Sequence, residues 1–412
     1  MFVKSLKRYG RIAICLLALL FSGCSQLVPT PDPVSITFVY PEYNDVALYE
    51  TWVQQFNELY PYITVELVST EGLTFDQIAE KNTFTASQFE LPQLQAQDAV
   101  MSLDSFIEQD EALNLDDFYP GALEVFTNEG RRWAIPSGID IMMMYYNKDL
   151  FDQYGVAYPQ LGWTWGDFLD RAIAVNNPSN DVFGYALQYE GDFAIYEPLI
   201  LIYQHGGRIF DDLQAPTQVT LDDPLNIEAM EFYASLIYDH RVAPAPGNPL
   251  LRQRPYPWRG VYEGRFAMWM LTLADQGGGR WGRGWDINWG IVPLPRDQNA
   301  VTMGTVDGLF ISSQTAHPEE CWLWIKFVSQ QMPYFLMPAR RSMAESNEYE
   351  TKVGAEVAIA ARTAVEEAIL VNPELLGFET ALAAMQQAFQ AIRGAEVTPA
   401  EALDAAQRQS GF

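Results

Sequence analysis

The stretch ITFVYPEYNDVALYETWVQQFNELYPYITVELV (36–68) decides the class of fold. Ile36-Thr37-Phe38-Val39-Tyr40 is β-branched and aromatic, which suits a strand. A polar loop follows, and Asn44 is placed to cap a helix whose apolar face takes Tyr49, Trp52, Val53, Phe56 and Leu59 before Pro61 stops it. Ile63 to Val68 then reads as a second strand. A strand, a crossover helix and a parallel strand imply an open α/β sheet, in which ligands sit beyond the carboxyl ends of the strands. The loop Tyr40-Pro41-Glu42-Tyr43-Asn44 occupies that place.

The pattern continues outward. Asp223-Pro224 precedes a helix from Leu225 to Tyr238, His317-Pro318-Glu319-Glu320 one from Trp322 to Val328, and Thr398-Pro399-Ala400-Glu401 one from Ala402 to Gln409. Proline at the first helical position and acids in the first turn are favourable helix-start chemistry. Thr164 to Asp167 opens another helix, carrying Phe168, Leu169 and Ile173. Strand-like runs occur at 139–146, 265–270, 287–292 and 306–311, and from Glu345 onward the chain reads as helical and alanine-rich. No internal repeat is visible.

Length and charge narrow the class. A chain of 412 residues, 49% hydrophobic, is too long for one small core and calls for two lobes or more. Lys and Arg number 25 against 53 Asp and Glu, a net charge of −28 that excludes nucleic acid as the default partner. His205, His240, His317, Cys15, Cys24 and Cys321 are too scattered for a zinc site, so no metal and no cofactor is implied. Lys4, Lys7, Arg8 and Arg11 precede an apolar run from Ile12 to Phe21 and then Ser22-Gly23-Cys24, the layout of an export signal (1–23). Its ten apolar residues are too few to span a bilayer. The end of that run resembles the bacterial lipoprotein processing box, with Phe21 where the box usually has Leu. The resemblance makes Cys24 the lipidated first residue of the mature chain. Residues 24–34, with Pro29, Pro31 and Pro33, become a short tether, and cleavage leaves 21 basic against 53 acidic residues, a net charge of −32.

Several strings together resemble one family. The stretch RRWAIPSGIDIMMMYYNKDLFDQYGVAYPQLGWTWGDFLDRA (131–172) is similar to the crossover segment of family 1 extracellular solute-binding proteins, the maltose-binding-protein-like receptors of ABC importers. GVYEGRFAMWM (260–270), INWGIVPLP (287–295), GLFISSQTAHPEECWLWIKFVS (308–329) and TPAEALDAA (398–406) follow in the family's order. The resemblance implies an α/β periplasmic-binding-protein fold of type II. Each of its two lobes is an open, mostly parallel sheet flanked by helices, and three hinge crossings join them near 137–144, 293–301 and 335–345. The N-terminal lobe would comprise 35–140 and 300–338, the C-terminal lobe 141–299 and 339–412. A ligand would be trapped between them.

Sugar receptors need flat rings for C–H faces and carboxylates or amides for hydroxyls. Tyr40, Glu42 and Tyr43 lie at the expected strand end. By the resemblance, Asp140, seven residues before Asn147, matches a ligand-facing carboxylate, and Tyr196 matches an aromatic that stacks on sugar. The stacking Trp common in relatives is missing: its slot falls near Ala274, Trp269 comes too early, and Trp281 in the following glycine-rich loop is the substitute. Asp307 and Arg341 are candidates by location.

Enzyme readings compare less well. Gly277, Gly279 and Gly282 satisfy a dinucleotide-binding spacing, but no helix follows to hold a pyrophosphate. A lipoprotein glycoside hydrolase using a pair such as Glu42 and Asp140 is the stronger rival, and a receptor for a non-sugar solute such as a polyamine is another. The expectation is a monomeric, non-catalytic binding lipoprotein that captures a carbohydrate and delivers it to an ABC permease, anchored on the outer face of the cytoplasmic membrane.

Overall fold

The computed structural model describes residues 31–189, 193–211, 217–253, 256–281, 284–370 and 379–410. The opening stretch forms β1 (Val34–Tyr40), the helix Val46–Leu59 and β2 (Ile63–Ser69), with β1 and β2 parallel and Val39 opposite Val68. Asp45, not Asn44, caps the helix by accepting from the Ala47 N–H, while the Asn44 amide donates to the Tyr49 hydroxyl. Tyr49, Trp52 and Phe56 are buried, whereas Leu59 is exposed because it lies one turn past the edge of the sheet-facing stripe. Ile173 is exposed on the helix Trp165–Val175 because it points about a third of a turn away from the buried side, which carries Trp165, Phe168, Ala172 and Val175.

Next come β3 (Thr83–Ser87), the small hairpin of β4 (Thr127–Asn128) and β5 (Arg131–Arg132), and the long β6 (Ile135–Asn147). The remaining strands are β7 (Phe183–Ala186), β8 (Phe266–Thr272), β9 (Trp289–Val292), β10 (Thr302–Ile311), β11 (Met337–Pro338) and β12 (Ala368–Leu370). Among the described residues they join in the order β2-β1-β3-β10-β6-β8-β7, with β11 and β9 also on β6 and β12 on β10. The α/β class is as expected, but the pairing is mixed rather than mostly parallel. β1–β2, β1–β3, β7–β8 and β10–β12 are parallel, whereas β10 runs against β3 and β6, and β6 runs against β8, β9 and β11. Strands that pass between the two halves of the sheet cannot be formed by local βαβ crossovers, so they enter against their neighbours. The alanine-rich end is helical as expected, except that β12 interrupts it.

The core divides into two clusters. One holds Phe38, Phe56, Phe84, Phe310 and Trp324, with Trp324 edge-on to Phe38 at 5.4 Å and to Phe56 at 5.1 Å. The other holds Phe168, Ile200, Tyr233, Met268, Phe389 and Leu403. Cys321 is a fully buried free thiol whose pKa burial pushes up to about 11. No helix among the described residues is long and apolar enough to cross a membrane.

One glycine fixes how the helix Trp165–Val175 meets β7. A Cβ at Gly184 would sit 2.3 Å from the Ala172 carbonyl oxygen, which is backbone and cannot rotate away. We expect Gly184→Ala to destabilise the protein by about 1–3 kcal/mol, the range for overpacking a core, as read from the midpoint of urea unfolding.

Candidate ligand-binding cleft

A cavity of about 340 Å³ opens where β6 and β10 pass from one half of the sheet to the other. That lies within the range of small-molecule sites. The first half contributes Pro41 and Tyr43 beyond the carboxyl end of β1, Thr85 and Ser87 at the end of β3, and Glu90 just after it. The second half contributes Thr272 at the end of β8 and Tyr196 on the helix Phe193–Gln204. Between them, β6 supplies Asp140 and Met142, and β10 supplies Met303, Thr305 and Asp307. Register places Thr305 opposite Asp140, and Asp307 opposite Gly138 on one side and Ser87 on the other.

Asp140 is 7% exposed, and its Oδ1 accepts from the Ala274 N–H at 2.9 Å. The slot expected to hold a stacking ring is thus occupied by a fully buried alanine whose amide steadies a carboxylate. Trp269 faces the core as its early position suggested, stacked 6.0 Å from Tyr145. Glu90 accepts from the Ser87 N–H at 2.8 Å in a capping box, and burial raises its pKa. Gln88, fully buried beside it, accepts from the Val306 N–H and ties the end of β3 to β10.

Tyr43, Asp140, Tyr196 and Asp307 therefore meet at one cavity. Tyr40 does not line it: its ring packs 4.8 Å from that of Tyr49. Glu42 is exposed off the wall, with its N–H on the Thr70 hydroxyl. Arg341 is drawn elsewhere, bonded to Glu366 and lying 4.5 Å over the Tyr119 ring. The side chain of Trp281, and Cys24 with all of 1–30, lie outside the described residues. The glycine run is a kinked turn, with Gly277 and Gly278 at positive φ. Thr85, Ser87, Glu90, Thr272 and Thr305 were not anticipated. The string Ser87-Gln88-Phe89-Glu90 is a capping-box pattern at the end of a strand-like run, and that signal marks two of the wall positions, Ser87 and Glu90. Among the described residues, no cluster of three or more His, Cys, Asp or Glu could hold a metal.

Behind Tyr196 the next residue, Glu197, is 1% exposed. The Tyr185 hydroxyl and the Gln188 N–H, at 3.2 Å, donate to it. Arg393 braces the same helix by donating to the Ala194 carbonyl at 3.0 Å. Burial raises the Glu197 pKa to about 7, against the lowering influence of Tyr185, Gln188 and Arg393.

With the geometry in view, the comparisons place the chain. Residues 40–331 match the family described as bacterial extracellular solute-binding protein, and the chain belongs to that family. Among curated relatives, the arabinooligosaccharide-binding protein of Halalkalibacterium halodurans is 26% identical over 213 residues, 48% of this chain and 44% of that one. A lipoprotein encoded in the oleD 5′ region of Streptomyces antibioticus is 22% identical over 334 residues, 77% of this chain and 71% of that one. The chain spans about half the length of most curated relatives it matches. The fold is that of the ABC substrate-binding protein Lmo0181 from Listeria monocytogenes, solved with cycloalternan, at a TM-score of 0.73 and 21% identity over 92% of this chain and 98% of that one.

Glu197 gives a pH test of this site's support. The folded protein holds its proton more tightly than an unfolded chain with the ordinary value of 4.5. The stabilisation is therefore complete below about 4.5 and is lost as pH rises through about 7. We expect Glu197→Gln to remove this slope, so that the stability difference between variant and wild type shifts toward the variant by up to about 3 kcal/mol between pH 4 and 8. Urea melts across that range read it directly.

Proposed function

We propose that the protein is the carbohydrate-binding component of an ABC importer, a receptor without catalysis that hands its ligand to a membrane permease. The observation that carries this is the composition of one cavity wall: Asp140, Asp307 and Glu90 with the hydroxyls of Thr85, Ser87, Thr272 and Thr305, beside the rings of Tyr43 and Tyr196. Carboxylates and hydroxyls suit a rim of sugar hydroxyls, and rings suit the C–H faces. The names of two relatives support the same class, one binding arabinooligosaccharide and one solved with cycloalternan. The hydrolase pair Glu42 and Asp140 finds no support, because Glu42 stands off the cavity.

The lobes are 35–140 with 300–338 and 141–299 with 339–412. The crossings near 137–144, 293–301 and 335–345 allow them to close, and preferential binding to the closed form drives closure. Cys24 anchors the mature chain to the outer face of the membrane through lipid, and the monomer is the working unit. A second reading, a cationic solute such as a polyamine, is favoured by the three acidic side chains on the wall.

A thermal-shift panel of mono- and oligosaccharides against polyamines separates the two, since a ligand selective for the folded form raises its melting temperature. We expect a sugar to shift it, to quench or enhance Trp fluorescence saturably, and to be recovered uncleaved by chromatography. Tyr196→Ala and Asp307→Ala should each weaken that sugar by about tenfold or more, the scale of a ring contact or of a hydrogen bond to a charged group. Glu42→Gln should leave it unchanged, and an amine-only response would reverse the assignment. For the anchor, Cys24→Ser should move the protein from the membrane to the soluble fraction and abolish labelled palmitate incorporation.

A further inference from the structure

A second, much smaller compartment of about 40 Å³ opens off the main cavity, and the two share Pro41, Tyr43, Thr85 and Asp307 as a common mouth. Its far wall is the segment from Pro333 to Leu336 against Tyr49 and Trp52 of the first helix. That wall is pinned from both sides. A Cβ at Gly138 would stand 2.7 Å from the Leu336 Cβ, so β6 abuts the segment as closely as glycine permits. From the other side the Lys352 ammonium donates to the Pro333 carbonyl and lies 5.8 Å from the centre of the Tyr334 ring, which meets Phe335 edge-on at 4.4 Å. These contacts shape the compartment.

Its size and lining define what it takes. A single water needs about 10–15 Å³ of such space, so the compartment holds about three small heavy-atom groups and no sugar ring. Aromatic and aliphatic side chains make most of the wall and suit a methylene. Polar groups stand among them: the Asn44 amide with the Tyr49 hydroxyl, 2.8 Å apart, and Gln331, whose amide N–H bonds the Phe327 carbonyl at 3.1 Å and leaves its side-chain oxygen as an acceptor. One carbon followed by one hydroxyl satisfies both. Resting on the carbohydrate assignment, we propose that this compartment is a specificity pocket for the exocyclic hydroxymethyl group of a hexopyranose unit seated in the main cavity, so that the protein selects hexose over pentose units.

The test uses sugar pairs that differ only by that group, once per ring: glucose with xylose, galactose with L-arabinose, and cellobiose with xylobiose, titrated calorimetrically against the full mature chain. The proposal expects the hexose member of a binding pair to be favoured about tenfold or more, the scale on which pockets discriminate small groups. Gln331→Met, which removes its acceptor, should reduce the ratio toward one with a melting temperature near wild type. Val328→Phe, which fills the compartment, should do the same at a lowered melting temperature because it overpacks a buried position. Should Val328→Phe fail to fold, Gln331→Met decides alone. Sugars that bind with a ratio near one, or with a ratio neither variant moves, overturn the pocket and leave the carbohydrate assignment standing. If no pair binds at all, the pocket falls, and the carbohydrate assignment is decided by the thermal-shift panel.

Discussion

Strand β6 has to satisfy two cores with one run of side chains. From Ile139 its odd positions, Ile139, Ile141, Met143 and Tyr145, enter the first cluster, and the even positions Met142, Met144 and Tyr146 enter the second. Successive side chains of a strand point to opposite faces, so a strand buried on both faces must be apolar throughout. That is the physical reason for the unbroken string IMMMYY. The same division recurs on its partner β8, where Trp269 and Leu271 go one way and Met268 and Met270 the other. Residues up to Ile141 pair with β10, and from Met142 onward with β8. The hand-over is a single peptide wide, and the cavity opens beside it.

The one charge in β6 is Asp140, one residue before the last position that pairs with β10. Burying a carboxylate without partners is costly, and here part of the cost is offset by the Ala274 N–H. The site thus stands on a compromise. Ala274 is a small, buried anchor, and the rings on the cavity wall are Tyr43 and Tyr196, one from each half of the sheet.

The strand–helix–strand opening, the helix starts at Pro224, Pro318 and Pro399, and the class of fold were legible because each has a local cause: hydrophobic period, a cap, a fixed φ. The mixed strand directions were not, since no local signal says which strands cross between the halves. Neither was β12, three residues whose strand state depends on the edge that β10 offers. For the site, Asp140 and Tyr196 were reached through a resemblance rather than through their own chemistry. Asp307 was found by its strand, and Tyr43 by the rule that places ligands at strand ends. Tyr40 and Glu42, chosen by the same rule, missed the cavity. Strand alternation and loop direction separate residues one or two apart, and sequence does not show where a loop turns. Arg341 was lost to Glu366, a partner 25 residues away.

The division of labour on the cavity wall follows from this geometry. Asp140 and Asp307 stand on β6 and β10, the strands both halves share, and their mutual register is set by the ladder between those strands. The two rings stand away from those strands, Tyr43 on a loop of the first half and Tyr196 on a helix of the second. Under the proposed closure, a rotation about the shared strands changes the gap between the rings far more than it changes the spacing of the carboxylates. The carboxylates would then hold a ligand in either state, and a group that holds both states equally shifts nothing. The rings would contact both faces of a sugar only when the halves approach, so the differential affinity that drives closure would come from Tyr43 and Tyr196. Glu197, buried one residue from Tyr196, accepts from Tyr185 and Gln188 and so ties the helix that carries the second ring to β7 and the loop after it.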